Sequence, residues 1–341
     1  MIIQYNILFI FLFIAILLNY FIYKINFYFK INVIAQVQDI HQGNPSRLGG
    51  LLIYFLFIGF IFLFEKNLSF VVLYSLFFLI PAFLEDIRIP IKPLFRLIAI
   101  LTTCTFLVIN IPQLPQFDFG TLNILLNNRI FQIIFFSLAM ATVINGQNII
   151  DGTNGLSAFT SLSIFASILY LGFQLNDQSI VQVASIMIVL IIAFLLFNYP
   201  FGRLFLGDGG SYFLGFISSY LVIDIFSRYP EIPAWSAVSI LFYPTLEVVF
   251  SYFRKILQRK SPFLPDNLHL HLKIFYLISR QKGNPRLYNA LVAPFLSVVW
   301  LGPLALLPFS IEYPLWSLLV LLTLILTYVF FYFSIPNPNK N

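Results

Sequence analysis

Eleven apolar runs of 15 to 22 residues follow one another along this chain, each almost free of charge. The hydrocarbon core of a bilayer, about 30 Å thick, takes roughly 17–25 apolar residues as helix. Closed barrels are excluded, because runs this continuous lack the period-two alternation of a barrel strand. The runs predict spans over Ile3–Ile22, Gly50–Phe64, Phe70–Leu84, Leu94–Asn110, Ile130–Ile149, Leu156–Phe173, Ile180–Phe197, Tyr212–Phe226, Ala234–Phe253, Tyr288–Phe309 and Leu315–Phe333. The expected fold is therefore all-α, a polytopic integral membrane bundle of about 11 transmembrane helices forming one domain over residues 1–341. Only 9% of the residues are charged, against about 25% in soluble globular chains, which excludes a soluble enzyme. Cys104 is alone inside an apolar run, so neither a disulfide framework nor a thiolate metal site is expected. The first run is not expected to be a cleaved signal, since no basic residue precedes it and it is too long. No internal repeat stands out.

Basic residues orient such a bundle, because cytoplasmic loops hold the excess of Lys and Arg. Sixteen of the 19 fall on one face: Lys24, Lys30, Arg47, Arg88, Lys92, Arg96, Arg203, Arg254, Lys255, Arg259, Lys260, Lys273, Arg280, Lys282, Arg286 and Lys340. The other face has Lys66, Arg129 and Arg228. The rich face is expected to be cytoplasmic, with the N-terminus outside and the C-terminus inside. The net charge of +6 is then an orientation signal and a phosphate-facing surface, and it implies no nucleic-acid partner.

Acidic groups are one-sided as well. Of the 13 acidic residues, Asp39, Glu85, Asp86, Asp151, Asp208, Glu247 and Asp266 lie at or near that face, together with His41, His269 and His271. Glu65, Asp118, Asp177, Asp224, Glu231 and Glu312 are scattered on the other as solvated loop charges. A charge at mid-helix costs about 2.5–3.5 kcal/mol on insertion scales, so a one-sided acidic cluster implies a site that handles cations and phosphates. Its loops are 23–49, 85–93, 145–155, 198–211 and 254–287.

Asn145, Asn148 and Asp151 are spaced by three and line one face of a helix end. Gly152 and Gly155 then allow a sharp turn, and the next span starts at once with N–H groups that favour an anion. The segment Gly207-Asp208-Gly209-Gly210-Ser211 places an Asp among glycines just before a helix. Such an Asp can hold Mg²⁺ while backbone N–H groups cradle phosphate oxygens, and Arg203 can pair with a phosphate; hairpins use the same Gly-Asp-Gly turn freely. Glu85 and Asp86 are adjacent carboxylates that hold their charge best beside a cation. Asp266, His269 and His271 are few for zinc, but the histidines can donate to a diphosphate. The basic run from Arg254 to Lys260 attracts anionic lipid or nucleotide and also anchors the positive side. Arg47 and the pair Gly49–Gly50 repeat the pattern of a charge beside accessible backbone at a helix start.

In this order, the motifs resemble the polyprenyl-phosphate N-acetylhexosamine-1-phosphate transferases, glycosyltransferase family 4. That family includes the phospho-N-acetylmuramoyl-pentapeptide transferase and the enzymes that start O-antigen, enterobacterial common antigen and wall teichoic acid. The resemblance runs from His41 to His271 and is carried by Asn145-x-x-Asn148-x-x-Asp151-Gly152 and Phe205-x-Gly207-Asp208-Gly209-Gly210-Ser211. It implies transfer of a sugar-1-phosphate from a UDP-sugar to polyprenyl (undecaprenyl) phosphate at the cytoplasmic face of the bacterial inner membrane, with release of UMP. It further implies Mg²⁺, or Mn²⁺ in its place, held by Asp208 and Asp86. Glu85, Asp86, Asp151 and Asp208 would be catalytic, and Arg47, Asn145, Asn148, Asn154, Arg203, Asp266, His269 and His271 would bind substrate. Four positions depart from the family pattern. Glu85 stands for the first Asp of a pair, Asn154 for a loop Asp, Glu247 where Asp is common, and the cluster His269-Leu270-His271 has one histidine fewer. Two other readings stay open. One is a flippase or transporter for a lipid-linked sugar, although transporters place their charges near the bilayer midplane. The other is an inactive homologue that binds lipid phosphate.

Overall fold

The computed structural model describes residues 2–29, 45–87, 89–117, 121–261, 267–280 and 285–338. Their regular structure is helical, and one isolated bridge joins Ser46 to Leu204. In chain order the helices are α1 (Ile2–Phe29), α2 (Gly49–Phe64), α3 (Ser69–Asp86), α4 (Pro93–Asn110), α5 (Thr121–Leu126), α6 (Arg129–Ile149), α7 (Leu156–Gln174) and α8 (Gln178–Asn198). They continue as α9 (Gly207–Arg228), α10 (Trp235–Ile240), α11 (Phe242–Leu257), α12 (Leu270–Ser279), α13 (Pro285–Phe295), α14 (Ser297–Ser310) and α15 (Pro314–Ser334). The protein is a multi-pass helical membrane bundle. Nine helical segments among the described residues are long and apolar enough to cross a membrane.

Two of the eleven expected spans fall outside that set. α2 is apolar throughout but has only 16 residues. The expected span Ala234–Phe253 is broken at Leu241 into α10 and α11. Pro244 explains the break: it has no N–H to donate, so a continuous helix would leave the carbonyl one turn back unpaired. In the first turn of a new helix that missing donor costs nothing. The span expected over Tyr288–Phe309 is likewise divided at Leu296, between α13 and α14.

α9 is the centre of the bundle. It packs against α2, α3, α6 and α7, and nearly all of its membrane-length window is buried. Its sequence permits this, because Gly207, Gly209, Gly210, Ser211, Gly215, Ser218 and Ser219 let neighbouring backbones come close. The approach is tightest to α2, where a β-carbon on Gly50 would collide with the Cα of Gly210. α1 lies at the edge against α8 and α2. A second apolar cluster gathers α11, α12, α13, α14 and α15 around Tyr243, Leu270, Leu296 and Tyr328.

At one end of the bundle the polar contacts are staples. Arg129 donates to the carbonyls of Ile109 (3.1 Å) and Ile111 (2.7 Å), closing the C-terminus of α4. Arg228, in the last turn of α9, pairs with Asp224 and with Asp177, the N-cap of α8. Burial opposes ionisation of Asp177, but hydrogen bonds from Arg228, the Ile180 N–H and Tyr229 hold its carboxyl below the usual range. Glu65 accepts from Ser179 at 2.7 Å.

Candidate active site

The polar site is built at the opposite end, around the first turn of α9. The chain reaches Gly207 at φ +75°, a left-handed conformation that costs glycine nothing. A β-carbon there would lie 2.5 Å from Asp86 Oδ2. The turn aims the first N–H groups of α9 at the end of α3. Asp208 N–H donates to Asp86 Oδ1 at 2.8 Å and Gly209 N–H to Asp86 Oδ2 at 2.9 Å. Asp86 therefore caps α9 from another helix, meeting both the open donors and the positive end of the dipole. Its side chain is 0% exposed, with Arg47 Nε at 3.4 Å.

Asp208 points the other way, toward the surface, with its side chain 17% exposed. Arg47 donates to its Oδ1 at 2.7 Å and Arg96 to its Oδ2 at 2.6 Å. Arg96 is also paired with Glu85. Asn148 donates to Asp208 Oδ1 at 3.3 Å and to Ser211 at 2.9 Å, which ties the end of α6 to the start of α9. Arg47 is positioned by the Ser46 segment: Ser46 O accepts from Phe205 N–H, while Gly49 and Gly50 donate to the carbonyls of Phe205 and Leu206. Asp151, one turn beyond Asn148, lies in the field of Arg47, Asp208 and Asp86, and Ser157 donates to it.

Three of the expected binding residues stand apart from this cluster. Asn145 turns back to the Ala141 carbonyl of its own helix, at 2.7 Å. Asn154 is buried and works as a staple: its amide donates to Pro200 O at 2.8 Å, and its N–H goes to Asn289 Oδ1 at 2.6 Å. Asn198 completes this brace by accepting from Gly155 N–H and donating to Leu204 O. Arg203 is exposed, its guanidinium 5.2 Å from the Phe201 ring centre and 6.0 Å from that of Tyr23. Asp266 lies outside the described residues, as do Asp39 and His41.

The two remaining histidines border the cluster. His271 is buried, with Nε2 facing Gly152 so closely that a β-carbon there would lie 2.8 Å away. Burial pushes its pKa down to about 4, so the ring is neutral at physiological pH. The His269 ring lies 5.9 Å away, inclined by 20°, and its Nδ1 is 3.0 Å from Glu247 Oε1. Lys273 is buried over the Tyr332 ring at 3.9 Å. Burial first, and Arg254 second, lower its pKa to about 8.

Two groups of this polar end do not stand out in the sequence. Arg96 looked like one more positive-inside charge, and nothing linear connects it to Asp208. Glu247 was marked only as a departure; its burial (1% exposed) becomes visible only when α11, α12 and α15 meet. Among the described residues no group of three or more His, Cys, Asp and Glu is arranged to hold a metal ion.

The bundle and its polar end define a membrane-embedded protein whose carboxylates and guanidinium groups converge on one helix N-terminus. Residues 68–226 match the profile of glycosyl transferase family 4. The phospho-N-acetylmuramoyl-pentapeptide-transferase of Dictyoglomus turgidum is 29% identical over 240 residues, 68% of this chain and 75% of that protein. The undecaprenyl-phosphate alpha-N-acetylglucosaminyl 1-phosphate transferase of Thermotoga maritima is 31% identical over 150 residues, 44% of each. That of Escherichia coli K12 is 29% identical over 193 residues, 54% of this chain and 51% of that protein. The stretch that resembles glycosyl transferase family 4 contains the helices that carry Glu85, Asp86, Arg96, Asn148, Asp151 and Asp208.

Proposed function

We propose that the protein transfers a sugar-1-phosphate, an N-acetylhexosamine-1-phosphate, from a UDP-sugar to polyprenyl (undecaprenyl) phosphate and releases UMP. The reaction starts an envelope glycan at the cytoplasmic face of the bacterial inner membrane, from loops of one membrane domain. The observation that carries this reading is the convergence of Arg47 and Arg96 on Asp208 at the start of α9. Phosphoryl transfer needs positioning and charge stabilisation more than covalent help from the protein, and this end of the bundle supplies both. The relatives' names support the acceptor and the transferred group.

The residues fit Mg²⁺, with Mn²⁺ as an alternative. The carboxyl groups of Glu85, Asp86, Asp151 and Asp208 gather around Arg47 and Arg96, more acidic groups than two guanidinium groups can pair. Mg²⁺ takes one or two carboxylates and completes its shell with water and substrate phosphates, so three protein ligands are not required. Asp208 and Glu85, both part-exposed, would hold it. Asp86, with both oxygens on backbone N–H groups, would support it from behind. When bound, the ion neutralises the donor diphosphate and stabilises the leaving phosphate.

The other steps belong to this chain's residues. The acceptor needs no deprotonation, because a phosphate monoester with a second pKa of about 6 is already largely dianionic. Arg47 and Arg96 can exchange their carboxylate partners for phosphate oxygens and orient the attacking group. Asn148 keeps Asp208 and Ser211 in register. The neutral His271 ring faces the Gly152 turn, where it can hydrogen-bond the donor. The transporter reading has less support, since these charges gather at one mouth of the bundle. Purified protein with Mg²⁺, undecaprenyl phosphate and a panel of UDP-sugars should release UMP with one of them. Asp208→Asn should abolish release while the protein remains membrane-inserted. Full activity of that variant, or no release by the wild type with any donor, would reject the reading.

A further inference from the structure

Tyr212 is none of the expected site residues, yet it stands on α9 one turn after Asp208. Long side chains on a helix lean toward its N-terminus and lie over the residue four positions back. The Tyr212 side chain is thereby directed at the polar end of the bundle, and two observations agree. Arg96 stands over its ring, with the guanidinium carbon 5.9 Å from the ring centre. The phenol also lies in the field of Asp208, Arg96, Glu85 and Asp86. Tyr212 is 5% exposed, and among the described residues its hydroxyl has no hydrogen-bond partner. Buried hydroxyls ordinarily find one. Tyr54 donates to the Val72 carbonyl and Tyr328 to Glu247. Tyr243, also without a partner, is sealed in the second apolar cluster. Tyr212 instead leaves a donor open beside a guanidinium group, where an acceptor that the protein does not supply can meet both.

We propose that Tyr212 is a substrate-binding residue of the transfer site, whose hydroxyl donates to a phosphate oxygen that Arg96 holds at the same time. The inference rests on the proposed transfer reaction for the identity of that phosphate. A phenol keeps its proton at physiological pH, so Tyr212 adds a donor without adding charge to a site already crowded with it. A hydrogen bond to an ionised oxygen is roughly twice as strong as one between neutral groups. The ring has a second use, since its face attracts the Arg96 guanidinium and keeps it beside the hydroxyl when Arg96 leaves its carboxylate partners. The phosphate oxygen can belong to the lipid phosphate or to the diphosphate of the UDP-sugar, and binding measurements separate the two.

Tyr212→Phe keeps the ring under Arg96 and removes only the hydroxyl. Binding of undecaprenyl phosphate and, separately, of UDP to the full-length protein in detergent micelles with Mg²⁺ can be read from the ligand-dependent rise in thermal midpoint. The variant should bind at least one of the two about 10- to 150-fold more weakly, the range for one hydrogen bond to a charged group. Its midpoint without ligand should be unchanged or higher, because no hydrogen bond within the protein is lost. A loss confined to undecaprenyl phosphate puts the hydroxyl on the acceptor, and one confined to UDP puts it on the donor. The KM for that substrate should rise in step. Wild-type affinity of the variant for both ligands would overturn the proposal. So would a lower midpoint without ligand, the mark of a structural hydroxyl. Binding is read without turnover, so failure of the transfer reading is seen separately. A protein that binds phosphate through Tyr212 but releases no UMP rejects the reaction alone, whereas a wild type that binds neither ligand rejects both.

Discussion

Glu85 and Asp86 are adjacent, so on a helix they point about 100° apart, and the structure gives them different partners. Asp86 faces inward and holds two N–H groups of α9, while Glu85 faces Arg96. Asp86→Asn would turn an NH₂ group against one of those N–H donors. Leaving a buried donor unsatisfied costs about 1–3 kcal/mol, and the loop that carries Asp208 loses its support. We expect Asp86→Asn to lower the thermal midpoint and to reduce UMP release at least about a hundredfold, roughly 2.7 kcal/mol in the barrier. Glu85→Asp should keep substantial activity, and Glu85→Gln should lie between. Steady-state rates matched for expression decide it: a dead Glu85→Gln beside a nearly normal Asp86→Asn would reverse the roles. Asn154 shows the same logic. Its amide donates to the Pro200 carbonyl, which a carboxylate could not do.

At the level of elements, the contact of α2 with α9 is set by backbone proximity. A methyl group at Gly50 has no room against Gly210 Cα, and backbone cannot give way as a flexible side chain can. Gly50→Ala should therefore destabilise the bundle by at least about 1–3 kcal/mol, read as a lower thermal midpoint in detergent. Gly59→Ala on the same helix, where nothing lies within 4 Å, should be silent. Helices were legible in the sequence wherever an apolar run was long enough to span, and the site segments wherever polar residues interrupted such runs. The break at Leu241 was not, because average hydropathy is blind to one missing N–H at Pro244. α12 was not either. Ten residues are too few to span, so the segment looked like loop, yet its first turn is buried in the bundle. Arg96 was hidden by a sufficient simpler reason, the charge bias of one membrane face. Asn154 and Arg203 stand apart from the carboxylate cluster, because spacing places residues near a site without saying which way they turn.

For the whole molecule, the orientation inferred from charge can be tested directly. Cys104, the single cysteine, is fully buried and should stay silent. Asn127→Cys, on an exposed turn at the stapled end, should react with an impermeant maleimide in intact cells. Ser261→Cys, in the long basic loop, should react only after permeabilisation. The reverse pattern would invert the site assignment. The way α9 is held has a further consequence. Its first turn is tied to α3 through Asp86, and its last turn to the start of α8 through Arg228 and Asp177. A carrier works by rocking one half of its bundle against the other, opening each side in turn. Here the central pillar is pinned at both ends, so rocking would have to break a buried cap on one side and an ion network on the other. On the transfer reaction proposed above, traffic would be lateral: a lipid would arrive from the bilayer, be altered at one rim and leave in the same leaflet, and its crossing would fall to another protein.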